Sequence, residues 1–326
     1  MELTDDMIPI DSDCFTLEQG YPVERNEAIE MKKTLPLECP QEADDLCDSG
    51  FLENFNSGCS LHDRRNQDGQ EGDMDTAETR ASLWRFLSED QDTFLHLCII
   101  HESEDRALSI IHQASPSFLN FQNTLYQTPL HLAVYLRLVK TVRDLVLWGA
   151  DTNLQDWNGN TPLHLACDYG YVDCLQALTQ PPTEEEQLQR PQQLIEPPDL
   201  EKHNWRGHAC IHIAVLQGNY QTLEILLSLG ADINAEEVTW GRRPLHLATE
   251  NNDIKMVSLL LERGAQVDSE TYSGVTPLEL AIGRGNGQLA VELQHTVGLS
   301  GSNTSVIING CFFDDLKLRG LPLTSH

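Results

Sequence analysis

Basic residues are scarce in this chain. Its 326 residues hold 21 Lys and Arg against 51 Asp and Glu, a formal net charge of −30. A protein that grips nucleic acid through its phosphates needs the opposite balance, so direct nucleic-acid binding is excluded. The field suits a basic protein partner, because opposite charge speeds encounter and fixes register. Long apolar runs are missing too. Nothing approaches the about 18 consecutive apolar residues of a membrane span. The start MELTDDMIPI has neither the positive end nor the apolar stretch of a signal peptide. The nine cysteines (14, 39, 47, 59, 98, 167, 174, 210 and 311) never form CxxC, which fits reduced thiols of the cytosol or nucleus. Cys39, Cys47 and Cys59 have the wrong spacing for the common zinc knuckles. No P-loop, GxSxG or HExxH occurs. No metal, no cofactor and no enzymatic activity are expected.

What is present is repetition. FLHLCIIH at 94–101, TPLHLAVY at 128–135, TPLHLACDYG at 161–170, CIHIAVLQG at 210–218, RPLHLATEN at 243–251 and TPLELAIGRG at 276–285 align without gaps. Taking Thr93, Thr128, Thr161, Ala209, Arg243 and Thr276 as equivalent, the steps are 35, 33, 48, 34 and 33 residues. A period of about 33 with T-P-L-H-x-A is the ankyrin signature. Pro129, Pro162, Pro244 and Pro277 suit the first helical turn, where no N–H is needed. A second helix follows, as in TLEILLSLGA at 222–231, and ends at Gly149, Gly230 or Gly264, where a left-handed cap suits glycine. The next stretch is a hairpin-like loop, turning at Asn158-Gly159 in the second case. One unit cannot bury both its faces, so the expected fold is an all-α solenoid of six stacked ankyrin repeats with β-hairpin-like loops over 81–298.

Two departures stand out. The step of 48 carries an acidic, proline-punctuated insertion at 180–202, expected to project as a surface loop without a long helix. In the sixth repeat Glu279 replaces the histidine and GRGNGQ at 283–288 is too glycine-rich for a tidy helix pair, as suits a terminal repeat.

The histidines at 96, 131, 164, 212 and 246 recur once per unit, about 10 Å apart as helix layers stack. Zinc ligands must converge within about 2 Å of one ion, so a turn-stabilising hydrogen bond inside each repeat is expected instead. Cys167 and Cys174 read as packed thiols. The loop tips hold Trp157, Trp205 and Tyr272 four residues before their repeat anchors and Trp240 three before its own. Exposed tip aromatics are costly unless they pack or meet a partner. Acidic residues gather where the array begins, at Glu89, Asp90, Asp92, Glu102, Glu104 and Asp105, with Asp151 and Asp156 on the next loop. Together they suggest a partner with a basic segment at one end.

The stretches FLHLCIIHE, SFLNFQN, QTPLHLAV, NGNTPLHLAC and SLGADINAEE closely resemble the inhibitors of NF-κB, the IκB/Cactus family, over about Asp92 to Leu293. The resemblance implies binding of an NF-κB/Rel-homology dimer, with the first repeats covering its basic nuclear-localisation segment and later ones touching its dimerisation domains. It also gives a reading to DSGF. Asp48-Ser49-Gly50-Phe51 resembles the family's phosphodegron, in which phosphorylated Ser49 would be clamped by arginines of a receptor. The family's second serine falls on Glu53 here; the next serine is Ser57, so either could serve. Lys32 and Lys33 precede Ser49 by 17 and 16 residues. A tether of that length averages about 22 Å and stretches to roughly 55 Å, which suits ubiquitin acceptors.

The resemblance thus implies an IκB kinase and a β-propeller F-box ubiquitin-ligase receptor as further partners. Residues 1–80 carry low apolar density and high charge, so a disordered, signal-responsive region is expected. The tail at 299–326 balances 2 acidic against 2 basic residues, unlike the strongly acidic C-terminal segment of the family's alpha-type member. The leading expectation is a cytoplasmic inhibitor that masks an import signal until it is degraded. The alternative is a nuclear co-regulator of Rel proteins; an export signal in LWRFL at 83–87 is left open.

Overall fold

A computed structural model describes residues 84–188 and 196–300, with the side chains of 297–300 excepted. Among the described residues, twelve helices pair off into six inner–outer units. The first unit is α1 (Phe94–Ile100) and α2 (Glu104–Ile111), the second α3 (Pro129–Tyr135) and α4 (Val139–Leu147). The third is α5 (Pro162–Tyr169) and α6 (Val172–Thr179), the fourth α7 (Cys210–Leu216) and α8 (Tyr220–Ser228). The fifth is α9 (Pro244–Glu250) and α10 (Ile254–Glu262), the sixth α11 (Pro277–Gly283) and α12 (Gly287–Ser300). Two shorter helical pieces, Pro116–Leu119 and Glu184–Leu188, lie in connections. The only β feature among the described residues is an isolated antiparallel bridge between Leu87 and Thr93.

Inner helices of seven or eight residues are too short to hold alone. Each is fixed at its start by a cap in which the third helical residue's side chain accepts the cap N–H, reciprocated by a threonine hydroxyl in four of the six. In the second unit the Thr128 hydroxyl accepts the His131 N–H at 3.4 Å, while His131 Nδ1 lies 2.8 Å from that hydroxyl and accepts the Thr128 N–H at 3.2 Å. The same box forms at Thr93–His96 and Thr161–His164. Where threonine is missing, the histidine half persists: Ala209 and Arg243 donate their N–H to His212 and His246 Nδ1 at 3.1 Å. Leu130, Leu132 and Ala133, and their equivalents Leu163, Ala166, Ile211, Ala214, Leu245 and Ala248, are buried between neighbouring inner helices. Each fully buried leucine contributes about 2–3 kcal/mol, so the core runs through the seams between units.

The histidines do more than the expected intra-repeat bond. His96 Nε2 reaches Gln127 O at 3.1 Å, His131 Nε2 reaches Asn160 O at 3.1 Å and His164 Nε2 reaches His208 O at 3.2 Å. Each of those carbonyls also accepts the N–H that closes its own loop, from Asn123, Asp156 and Asn204. One imidazole therefore caps its own helix and ties the next loop to it. Burial holds His212 and His246 down at about 4, the neutral state in which Nδ1 accepts while Nε2 donates.

Repeat six corrects an expectation. Its glycines do not break the helix pair: Gly283 closes α11, Gly285 turns with φ +71°, and Gly287 opens a 14-residue α12.

The described ends of the insertion are each tied to the repeats. Arg143 on α4 donates from Nε and Nη2 to the two Glu186 oxygens at 2.9 and 2.7 Å, and from Nη1 to the Ala177 and Gln180 carbonyls that end α6. That fork pulls Glu186 down to about 2. At the far end, Asn153 accepts the Asp199 N–H at 2.8 Å and Lys202 Nζ donates to Asn153 O at 2.8 Å.

Candidate partner-binding edge

The loops between units form a row of fingers, each bonded to its predecessor by one main-chain hydrogen bond. Trp157 N–H donates to Leu125 O at 3.0 Å, Trp205 to Asn158 O at 3.0 Å, Val238 to Gly207 O at 3.2 Å and Tyr272 to Trp240 O at 3.0 Å. Three of the four tip aromatics therefore occupy one structural position, at which the ring lies beside the preceding finger. A Cβ added to Gly159 would stand 2.7 Å from the Trp205 ring, and one on Gly241 2.5 Å from Tyr272. All four rings leave much of their surface in solvent: Trp157 is 60 % exposed, Trp205 70 %, Trp240 57 % and Tyr272 66 %. Local packing and an open face coexist, and the open aromatic surface is the feature a partner could bury.

Finger five is built differently. In the others a side-chain oxygen closes the turn: Asn123, Asp156 and Asn204 each accept two N–H groups within it, at 2.8–3.1 Å. In finger five the turn spans one more residue, from Glu237 N–H to Arg242 O, and ion pairs hold it. Arg242 binds the buried Glu237 at 2.7 Å and Glu250 at 3.0 Å, while Arg243 binds Glu236 at 2.6 Å. The extra residue puts Val238 where fingers three, four and six carry an aromatic and moves Trp240 further along the tip.

The acidic residues separate into two kinds. Glu89 and Asp90 are exposed at the start of the array. Asp92 and Asp156 are buried, which corrects the expectation that they face a partner. Asp92 accepts the Asn123 Nδ2–H at 2.8 Å, and Asp156 closes the Trp157 finger. Asp151 is half-buried and accepts the Asn153 N–H at 2.8 Å. Ser49, Ser57, Asp48, Gly50, Phe51, Lys32 and Lys33 lie outside the described residues. Among the described residues no group of three His, Cys, Asp or Glu could hold a metal ion. Burial pushes the Cys174 thiol up to about 12, the behaviour of a packed thiol.

The ankyrin-repeat family, described as Ankyrin repeats, matches residues 95–190, 149–237 and 211–296. NF-kappa-B inhibitor alpha of Sus scrofa is 43 % identical over 253 residues, covering 73 % of this chain and 78 % of that protein. The chain belongs to the IκB family. NF-kappa-B inhibitor alpha of Gallus gallus is 43 % identical over 210 residues, 64 % of this chain; the match spans 63 % of that relative's length. The solved ankyrin-repeat domain of Bcl-3, titled a unique member of the IkappaB protein family, is 37 % identical with a TM-score of 0.56. It is matched over 67 % of this chain and 90 % of its own.

Tyr126 escaped the sequence reading of this IκB-family edge. It is 51 % exposed, and its ring centroid lies 6.0 Å from that of Trp157. It stands two residues before its anchor Thr128, outside the register of the other tip aromatics, although the same spot in finger three is the glycine of NGN.

Proposed function

We propose that this IκB-family chain binds an NF-κB/Rel-homology dimer along its finger edge, covers the dimer's basic nuclear-localisation segment and retains it in the cytoplasm. The observation that carries the reading is the row of exposed aromatics, with Glu89 and Asp90 exposed at the end where the first repeats begin. Aromatic rings supply the anchors of an interface, and carboxylates attract a basic segment. The relatives are themselves titled NF-kappa-B inhibitors, which supports the same partner here.

Release follows from the N-terminal stretch. An IκB kinase phosphorylates Ser49, with Ser57 or Glu53 as the second acidic point. A β-propeller F-box receptor clamps Asp48-pSer49-Gly50-Phe51, and ubiquitin passes to Lys32 or Lys33 ahead of proteasomal degradation. The test is the lifetime of the full chain in stimulated cells, wild type beside Ser49→Ala, with Rel proteins co-precipitated. Loss of wild type with persistence of the variant, both Rel-bound, is expected. Persistence of both would favour the second reading, a nuclear co-regulator that needs no destruction signal.

A further inference from the structure

All six units place a residue at positive φ two positions before the repeat anchor. Four of them use glycine there: Gly159 at +73°, Gly207 at +78°, Gly241 at +65° and Gly274 at +75°. The first unit uses Gln91, at φ +61°, and the second uses Tyr126, at φ +56°. The left-handed region carries no penalty for glycine and is uncommon for other residues, an outlier when the side chain is bulky.

The turn itself imposes this conformation. Asn123 accepts the Leu125 and Gln127 N–H groups at 3.0 and 2.9 Å, and Gln122 Nε2 donates to Tyr126 O at 2.9 Å and Gln155 O at 3.0 Å. Finger three repeats the pattern: Asp156 accepts two N–H groups, and Gln155 Nε2 donates to Gly159 O at 2.7 Å and His203 O at 2.9 Å. Two fingers with the same closure differ at the strained position, one having glycine and the other tyrosine. Glycine would thus serve the fold better at 126. A strained residue persists where the surroundings over-determine it and its side chain has another task.

The ring's surroundings say what that task is. Tyr126 is half exposed and tilted 37° against Trp157. The exposed Asp90 accepts the Thr124 N–H through its carbonyl at 2.9 Å, two residues from the tyrosine. Two aromatic faces on a finger bonded to the exposed acidic turn at Glu89 and Asp90 suit a long cationic side chain, whose stem packs on the rings while its head points toward that turn. We propose that Tyr126 is a partner-contact residue, kept at the cost of backbone strain, that receives a lysine or arginine of the basic segment bound at the first two repeats. This rests on the Rel-binding proposal above and adds a residue and a contact chemistry to it.

The test measures two quantities on the full chain: its melting midpoint and its dissociation constant for a purified Rel-homology dimer that includes the basic segment. Tyr126→Gly relieves the backbone and removes the ring. Its midpoint should equal or exceed that of wild type while affinity falls about tenfold, the scale of one lost cation–aromatic contact. Tyr126→Ala removes the ring but keeps the strain, so it should lose the same affinity without the gain in midpoint. Tyr126→Phe should match wild type in both. A Tyr126→Gly midpoint several degrees below wild type would make the ring a packing element and overturn the assignment. So would unchanged affinity in a wild type that binds. If wild type binds no Rel-homology dimer at all, the functional proposal itself falls.

Discussion

Replacing His131 by leucine tests the double role of the repeat histidine. The imidazole is fully buried and takes part in three contacts: Nδ1 with the Thr128 N–H at 3.2 Å and with its hydroxyl at 2.8 Å, and Nε2 with Asn160 O at 3.1 Å. Leucine preserves volume and breaks all three. Asn160 O keeps the Asp156 N–H and the Thr128 hydroxyl keeps the backbone N–H of residue 131, so the Thr128 N–H is the donor left without this partner. A net loss of about 1 kcal/mol per hydrogen bond, plus about 1–3 kcal/mol for the orphaned buried donor, gives about 4–6 kcal/mol. Part is regained by burying an apolar side chain, leaving about 3 kcal/mol. Because the lost bond to Asn160 couples units two and three, the cost falls on an interface term of a one-dimensional stack. Urea unfolding followed by circular dichroism should show a lower midpoint and a shallower or split transition. Glu279→Ala, at the half-buried equivalent in the last unit, should cost about 1 kcal/mol with the transition intact. A His131→Leu loss below about 1 kcal/mol, or a transition as steep as wild type, would refute the cross-linking role.

Other outcomes follow from the same geometry. His212 and His246 are held at about 4 by burial, below the usual value of about 6.5, so the unfolded chain binds more protons between these limits. Stability from them is complete above about pH 6.5 and falls as the pH drops toward 4, by about 1.4 kcal/mol each at pH 5.5. A urea midpoint unchanged between pH 7.5 and 5.5 would contradict this. Gly159→Ala meets both a φ of +73° and the Trp205 backbone nitrogen at 2.7 Å. It should destabilise by about 2 kcal/mol and shift the Trp205 signal in a fluorotryptophan spectrum; a silent substitution would mean that the finger yields freely. Arg143→Met removes the fork that holds Glu186, and limited proteolysis should then cut within 180–202 several-fold faster, with a midpoint loss of about 1–2 kcal/mol. Equal cutting rates would show that the far anchor at Asn153 suffices.

Much of this was legible in sequence because it repeats. Six copies of one short pattern fix the helix starts, and the glycines at 149, 230 and 264 sit at positive φ as their place after the outer helices implies. What escaped depends on how units stack. The residue that His131 Nε2 reaches lies 29 positions away, and only the offset between layers selects it. Asp92 and Asp156 look like solvated charges in a charged loop, yet both are buried acceptors within the finger row. The glycines of repeat six fall at helix ends, which composition alone does not locate. Tyr126 was visible as a glycine missing from its register; the aromatic spacing drew attention to the neighbouring position instead.

The central claim, that the exposed finger aromatics bind a Rel-homology dimer, is tested most directly by the dissociation constant of the full chain for such a dimer. Wild type should be compared with Trp157→Ala and Trp205→Ala, with melting midpoints as controls. The account predicts tight binding by wild type and a loss of about tenfold or more for each variant, with midpoints within a few degrees of wild type. Wild-type binding that neither substitution weakens would contradict it and move the interface to another face of the repeats.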